Sequence, residues 1–127
     1  MNRLVGVIVA IAGLGAGCAA IGAPSGPNSL VAAAFGNTVV STYPDGRTAE
    51  LWLHPGGRYD AKGRRGDPSS GRWRIKGQKI CLSQSRPFPS PFSYCTALPR
   101  SGQWSARAVT GEAIRVRIVK GRYSGRA

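Results

Sequence analysis

The chain of 127 residues is 42% apolar, and its 18 basic and 5 acidic side chains give a net charge of +13. This length allows one domain with a modest core and excludes a second folded module. A surface of this sign favours anionic partners over cationic ones.

The N-terminal residues have the pattern of an export signal. Arg3 precedes an uncharged apolar run from Leu4 to Leu14, which is as long as a signal-peptide core and too short to span a bilayer. The composition therefore predicts four segments: a signal peptide over 1–17, a flexible spacer over 18–32, a β domain over 33–120 and a frayed tail over 121–127.

The segment Leu14-Gly15-Ala16-Gly17-Cys18 resembles the lipobox of bacterial lipoproteins, in which the cysteine is acylated. This resemblance implies a lipid anchor on Cys18. Ala19 does not provide the acidic inner-membrane retention signal, which implies the outer membrane, facing the periplasm. Small residues around Cys18 also suit an ordinary signal peptidase. The alternative is a soluble periplasmic or secreted protein.

The stretch from Gly71 to Leu98 sets the register of the predicted sheet. A two-residue turn at Gly77-Gln78 pairs Ile75 with Ile80 and Trp73 with Leu82, so that all four share one face. If Cys81 and Cys95 lie directly opposite each other, a third strand joins the sheet, and its inward residues extend this face.

Those two cysteines, Cys81 and Cys95, remain once Cys18 is assigned to the processing site. We predict that they form one disulfide in an oxidising compartment. One histidine and two cysteines are too few for a metal site, so we expect no metal.

Short β-branched or apolar runs continue this pattern on both sides. Tyr43-Pro44-Asp45-Gly46-Arg47 and His54-Pro55-Gly56-Gly57-Arg58 predict two reversals, and the polar stretch 60–70 predicts a surface loop. A final hairpin turning at 110–112 pairs Ala106 with Val116 and Arg107 with Arg115. We therefore predict an all-β, antiparallel up-and-down meander of about seven strands. It has no helix after the leader, and it forms a small barrel or a strongly curved sheet with one disulfide.

The Pro-x-Gly turns, Gly71-x-Trp73 and the cysteine pair Cys81 and Cys95 lie within Phe35 to Pro99. This part resembles small, uncharacterised proteobacterial envelope proteins. The Gly-x-Trp pair also resembles that of lipocalin-like barrels, where it stands on the first strand. Neither resemblance implies a biochemical role beyond an envelope location and a β fold.

The sequence indicates no catalytic residues. His54, the single histidine, is expected to be a solvated turn residue, and no glycine-rich loop opens a helix to hold phosphate. We therefore expect that the protein has no catalytic activity and binds no cofactor. The absence of a base-reading motif also argues against specific nucleic-acid binding.

Three functional hypotheses follow. The first is a binding or structural module whose outward arginines contact anionic envelope components such as lipopolysaccharide or phospholipid: Arg72, Arg74, Arg107, Arg115 and Arg117. The second is a barrel that binds an apolar ligand between Trp73, Trp104 and Tyr94, with room left at Ala106 and Ala108. The third is inhibition of a hydrolase by the Pro-rich stretch 86–92. In that stretch the two phenylalanines form an exposed tip or, as we expect, Phe88 or Phe92 folds back to cover one end of the sheet.

Overall fold

One antiparallel sheet organises residues 26–122, the part of the chain that the computed structural model describes. The predicted signal peptide and Cys18 lie outside these residues. A helix precedes the sheet, whose eight strands follow in order: α1 (Pro27–Ala32), β1 (Thr38–Thr42), β2 (Thr48–His54), β3 (Arg58–Lys62), β4 (Pro68–Lys76), β5 (Lys79–Arg86), β6 (Tyr94–Ala97), β7 (Gln103–Arg107) and β8 (Ala113–Val119).

The sheet curls into a nearly closed barrel because its first strand pairs with its last. The strand order is β6-β5-β4-β3-β2-β1-β8-β7, so β1 has β2 on one side and β8 on the other. The edge strands β6 and β7 meet at a seam, where the Tyr94 hydroxyl donates a hydrogen bond to the Arg107 carbonyl. The predicted fold class is confirmed, with eight strands instead of about seven.

Alternation of apolar and polar residues decides which side chains fill the barrel. Successive residues of a strand point to opposite faces, so the apolar members of each strand collect on the inside. The buried core of the strands consists of Val39, Leu53, Tyr59, Ile80, Trp104, Ile114 and Val116.

The register predicted for the central hairpin is confirmed. Ile75 lies opposite Ile80 and Trp73 opposite Leu82, and β6 continues the ladder with Cys81 opposite Cys95. These two cysteines form the predicted disulfide, with their Cα atoms 4.0 Å apart. Cys81 is buried and Cys95 is exposed.

The register predicted for the last hairpin is wrong by two residues. Ala106 lies opposite Ile114, and Arg107 lies opposite Ala113 instead of Arg115. The cause is the turn, in which the Ala108 N–H donates to the Glu112 carbonyl and closes a three-residue loop. A shift of two keeps the inward set unchanged, because the side-chain period is two.

The stretch 60–70 is only partly a loop, contrary to the prediction. β3 extends to Lys62 and β4 begins at Pro68, which leaves residues 63–67 as the turn. The charged residues Asp60 and Lys62 are accommodated because they occupy outward positions of β3.

Two predicted segment boundaries also need correction. The last part of the predicted spacer 18–32 forms α1, and Val31 and Ala34 are 0% exposed in the core. Phe35 then packs beside Trp73 with 5.9 Å between ring centroids, so this segment fills one end of the barrel. The prediction of no helix after the leader is therefore wrong.

The first residues of the predicted frayed tail 121–127 are held against the sheet. The Thr38 hydroxyl accepts a hydrogen bond from Trp52 Nε1 at 2.9 Å and donates one to the Gly121 carbonyl at 2.8 Å. The Arg122 guanidinium lies 4.2 Å from the centre of the Trp52 ring, within cation–π range.

Removal of the disulfide tests its contribution to stability. Cys81→Ser, Cys95→Ser and the double variant should each lose about 3 kcal/mol, because each opens the same loop in the unfolded chain. Urea unfolding of the variants and of reduced wild-type protein would check this. A single variant that is clearly less stable than the double variant would contradict it.

Gly71 tests how tightly β4 and β5 approach each other. A Cβ at this position would lie 2.0 Å from the Ser83 carbonyl oxygen and 2.9 Å from Gln84 Cα. Gly71→Ala should therefore cost about 1–3 kcal/mol or more, as other overpacking changes do. Gly63→Ala is the matched control, since its nearest neighbour would be 3.8 Å away. Equal melting temperatures for the two variants would refute the close approach.

Candidate ligand-binding site

The end of the barrel opposite α1 is built from three turns of one geometry. Each turn is closed by a backbone N–H donating across three intervening residues, and each carries a glycine with positive φ at the fourth place. The turns span residues 43–47, 63–67 and 108–112, with Gly46, Gly66 and Gly111 in those places.

One guanidinium ties these three turns together. Arg64 in the middle turn donates two hydrogen bonds to the Glu112 carboxylate, the shorter at 3.0 Å, and lies 3.5 Å from Asp45 Oδ2. It also lies 4.3 Å from the centre of the Tyr43 ring. A bidentate arginine contact fixes geometry as well as charge, so one side of the barrel end is held in place.

The fourth loop at this end, residues 87–93, presents aromatic rings to solvent. Gln84 holds this loop at two points. Its side-chain Nε2 donates to the Phe88 carbonyl, and its backbone carbonyl accepts from the Ser90 N–H, both at 3.0 Å. Phe88 is 63% exposed and Phe92 is 79% exposed. The expectation was that Phe88 or Phe92 covers one end of the sheet. Both rings are instead mostly exposed, as in the alternative of an exposed tip.

A pocket of about 770 Å³ opens at this end of the barrel. Phe88 and Phe92 line it on one side and Val109, which is 77% exposed, lines it on another. Inward residues form its floor, among them Leu82 and Ile114. Phe88, Phe92 and Val109 are the three large apolar side chains that are exposed among residues 26–122, and all three border this one pocket.

A smaller cavity of about 60 Å³ lies within the barrel beneath this floor. The cavity and the open pocket share lining residues, among them Leu82, Tyr94 and Ile114, so the two spaces adjoin each other. Trp104 and Ala106 line the cavity, and Ala108 lines the pocket. Ala106 and Ala108 are the positions predicted to leave room, and Trp104 is one of the predicted pocket walls.

Trp73 departs from that prediction because it packs at the other end of the barrel. Its ring lies against Phe35, and its Nε1 donates to the His54 carbonyl at 2.9 Å. The tryptophan therefore supports the end that α1 fills and does not border the pocket.

Two of the tyrosines that line the open pocket, Tyr43 and Tyr59, have phenol pKa values that are raised above the ordinary value. Burial raises the pKa of Tyr59, and it also raises the pKa of Tyr43, where the neighbouring Tyr94 adds to the effect and Arg64 opposes it. Both phenols therefore stay protonated. Lys62 and Arg107 border the same pocket, and the Arg107 guanidinium donates to the Gly111 carbonyl at 2.9 Å.

The five arginines predicted to form one anion-binding face are divided between two walls. Arg72 and Arg74 belong to β4, whereas Arg107, Arg115 and Arg117 belong to β7 and β8. Three strands separate β4 from β8 in the sheet order, which places them across the barrel from each other. Arg117 is half-buried and the other four are exposed. Anion binding by either group stays a prediction.

The single histidine is not free in solvent, contrary to expectation. His54 Nε2 lies 2.9 Å from Asp60 Oδ2, because these residues point outward on the neighbouring strands β2 and β3. Within residues 26–122, no group of three or more His, Cys, Asp or Glu side chains is placed to hold a metal ion.

The helices of the same part of the chain include none that is long and apolar enough to cross a membrane. Comparison of the chain with models of known protein families, with curated proteins and with solved structures found no match. The resemblance to proteobacterial envelope proteins therefore stays a prediction.

The ion pair between Arg64 and Glu112 should make stability depend on pH. Hydrogen bonds from Thr110 and Arg64 lower the pKa of the Glu112 carboxyl below its ordinary value of 4.5. Its contribution is therefore complete above about pH 4.5 and is lost as the pH falls through the lowered pKa. Melting temperatures from about pH 7 to about pH 3 should fall more steeply for wild type than for Glu112→Gln.

Asp67→Asn is the matched control for this measurement, because Asp67 is an exposed carboxylate of the neighbouring turn. It should keep the pH profile of the wild type. A Glu112→Gln profile parallel to that of the wild type would show that the ion pair does not stabilise the fold.

Proposed function

We propose that this protein is an exported binding protein that takes the apolar part of a ligand into the open end of its barrel. The observation that carries the proposal is the grouping of Phe88, Phe92 and Val109 around one pocket. Single exposed apolar residues are ordinary, but a contiguous exposed patch marks an interaction site.

The size and lining of the pocket support a small molecule as the ligand. Ligand sites in proteins usually have volumes of about 300–1,000 Å³ and combine apolar walls with a few polar groups. The open pocket of about 770 Å³ falls in this range. The cavity beneath it, at about 60 Å³, has room for little more than a terminal methyl or methylene group.

The charges at the rim favour a ligand with an anionic end. Lys62 and Arg107 border the pocket, and its lining contains one carboxylate, that of Glu50, which is 2% exposed. The acidic side chains Asp45 and Glu112 nearby are bound by Arg64. An amphiphile such as a fatty acid would place its chain among the aromatic rings and its carboxylate near these cations. The net charge of +13 adds a general attraction for anions.

An envelope location is part of the proposal. The export signal that the sequence predicts over 1–17 supports it, and the Cys81–Cys95 disulfide supports an oxidising compartment. The lipid anchor on Cys18 stays a prediction. Lipopolysaccharide or phospholipid as a partner and inhibition of a hydrolase by residues 86–92 also stay predictions.

Binding of the neutral fluorophore N-phenyl-1-naphthylamine tests the pocket. The wild-type protein should enhance its fluorescence in a saturable way, and laurate should displace it. Phe88→Ser combined with Phe92→Ser should weaken binding roughly ten-fold, since buried aromatic anchors carry much of the energy of a binding site. Both rings are exposed, so the melting temperature should change little.

Two alanine-to-leucine substitutions on the last hairpin test whether the ligand reaches the inner cavity. Ala106→Leu fills the inner cavity and should reduce binding of the fluorophore, whereas Ala113→Leu adds the same volume on the exposed face and should not. Equal binding by the wild type, the double phenylalanine variant and both leucine variants would overturn the proposed function.

A further inference from the structure

A second pocket lies on the outer wall of the barrel, away from the open end. It has a volume of about 320 Å³ and is bordered by three guanidinium groups from three adjacent strands, those of Arg58, Arg72 and Arg86. Arg58 and Arg72 are directly opposed in the ladder between β3 and β4. Like charges in this position are destabilising unless an anion lies between them.

These three arginines lack carboxylate partners in the described part of the chain. Across residues 26–122, the carboxylates in ion pairs are those of Asp45, Asp60 and Glu112, and none of them pairs with Arg58, Arg72 or Arg86. Asp60 borders the pocket, but its Oδ2 atom is bound by His54. The pocket therefore presents three cations against one carboxylate that already has a partner.

A β-bulge brings the third arginine to this wall. Gly71 pairs with Gln84 and Ser70 with Arg86, so Ser85 is an extra residue in β5. In a regular ladder Arg86 would point into the barrel with Gln84, because side chains alternate. The bulge instead places Arg86 opposite the outward-facing Ser70. Bulges re-aim side chains in this way and are over-represented beside functional sites.

The remaining lining suits a phosphate group carried by a larger polar molecule. Ser70 and Ser85 offer hydroxyls beside the guanidiniums, and His54 and Asp60 offer further polar atoms. Guanidinium groups match phosphate oxygens with paired hydrogen bonds. The volume of 320 Å³ corresponds to roughly ten waters, at about 30 Å³ each, which is more than a bare phosphate needs.

We propose that this outer pocket binds a phosphate monoester on a sugar-sized polar group, with Arg58, Arg72 and Arg86 as the phosphate ligands. This site is separate from the apolar pocket at the open end, and the proposal does not depend on the function proposed there. The phosphate could belong to a soluble sugar phosphate or to a lipid headgroup, which present the same chemistry.

Calorimetric titration of the purified protein with glucose 6-phosphate tests the site. Binding should be saturable, and glucose at the same concentration should give none. Arg58→Gln, Arg72→Gln and Arg86→Gln should each weaken binding roughly ten-fold or more, since charge-assisted hydrogen bonds are about twice as strong as neutral ones. All three side chains are exposed, and melting temperatures no lower than that of the wild type would show that the variants fold.

Arg74→Gln is the matched control. Arg74 is exposed on β4 two residues after Arg72, so its replacement removes the same charge from the same strand without touching the pocket. It should leave binding of glucose 6-phosphate nearly unchanged. A loss as large as that of Arg72→Gln would show general attraction to a basic surface and would overturn the site.

A vesicle arm distinguishes the two sources of phosphate. Vesicles of phosphatidylcholine with phosphatidic acid are pelleted with wild type, Arg72→Gln and Arg74→Gln. If Arg72→Gln pellets less than the wild type and Arg74→Gln does not, the phosphate belongs to a lipid headgroup. If Arg72→Gln weakens binding of glucose 6-phosphate but does not change pelleting, the ligand is soluble. Absence of binding to both probes at low salt would overturn the proposal.

Discussion

Pairing between β1 and β8 is the constraint on which the rest of the structure depends. It places Val39 opposite Ile118 and turns a sheet of consecutive hairpins into a nearly closed wall around one core. Closure creates two ends, which the chain treats differently. The segment of α1 fills one end with buried side chains, whereas the other ends in turns and a Pro-rich loop that leave it open.

The open end and the outer wall offer different chemistry from the same strands. Inward positions are apolar and lead from the exposed rings of Phe88 and Phe92 to the cavity beside Trp104. Outward side chains of β3, β4 and β5, among them Arg58, Arg72 and Arg86, border the outer pocket. The same strands serve both sites because their side chains are divided between two faces, with the bulge in β5 turning Arg86 to the outer one.

Arginine has two distinct roles in this basic protein. Arg64 is bound to Glu112 and Asp45, and it fixes the turns at the open end. Arg58 and Arg72 lie beside each other without carboxylate partners among the described residues, as a ligand site requires. Net charge therefore says little about function until the position of each cation on the barrel is known.

The sequence by itself determined the properties that depend on neighbours along the chain. Alternation determined the inward residues, and the two-residue turn at Gly77-Gln78 determined the pairing of Ile75 with Ile80. The partnership of Cys81 with Cys95 followed from the number of cysteines left once Cys18 was assigned to the processing site. Even the error of two residues in the last hairpin left the faces correct, since the period of a strand is two.

Only the tertiary structure decided the features that join distant parts of the chain. Closure placed Arg72 and Arg115 on opposite walls, the bulge turned Arg86 outward, and Arg64 reached the turns 43–47 and 108–112. The alternation of residues along a strand tells on which face a side chain lies, but it does not tell where the strand lies around the barrel. That position follows from long-range pairing, which local sequence patterns do not encode.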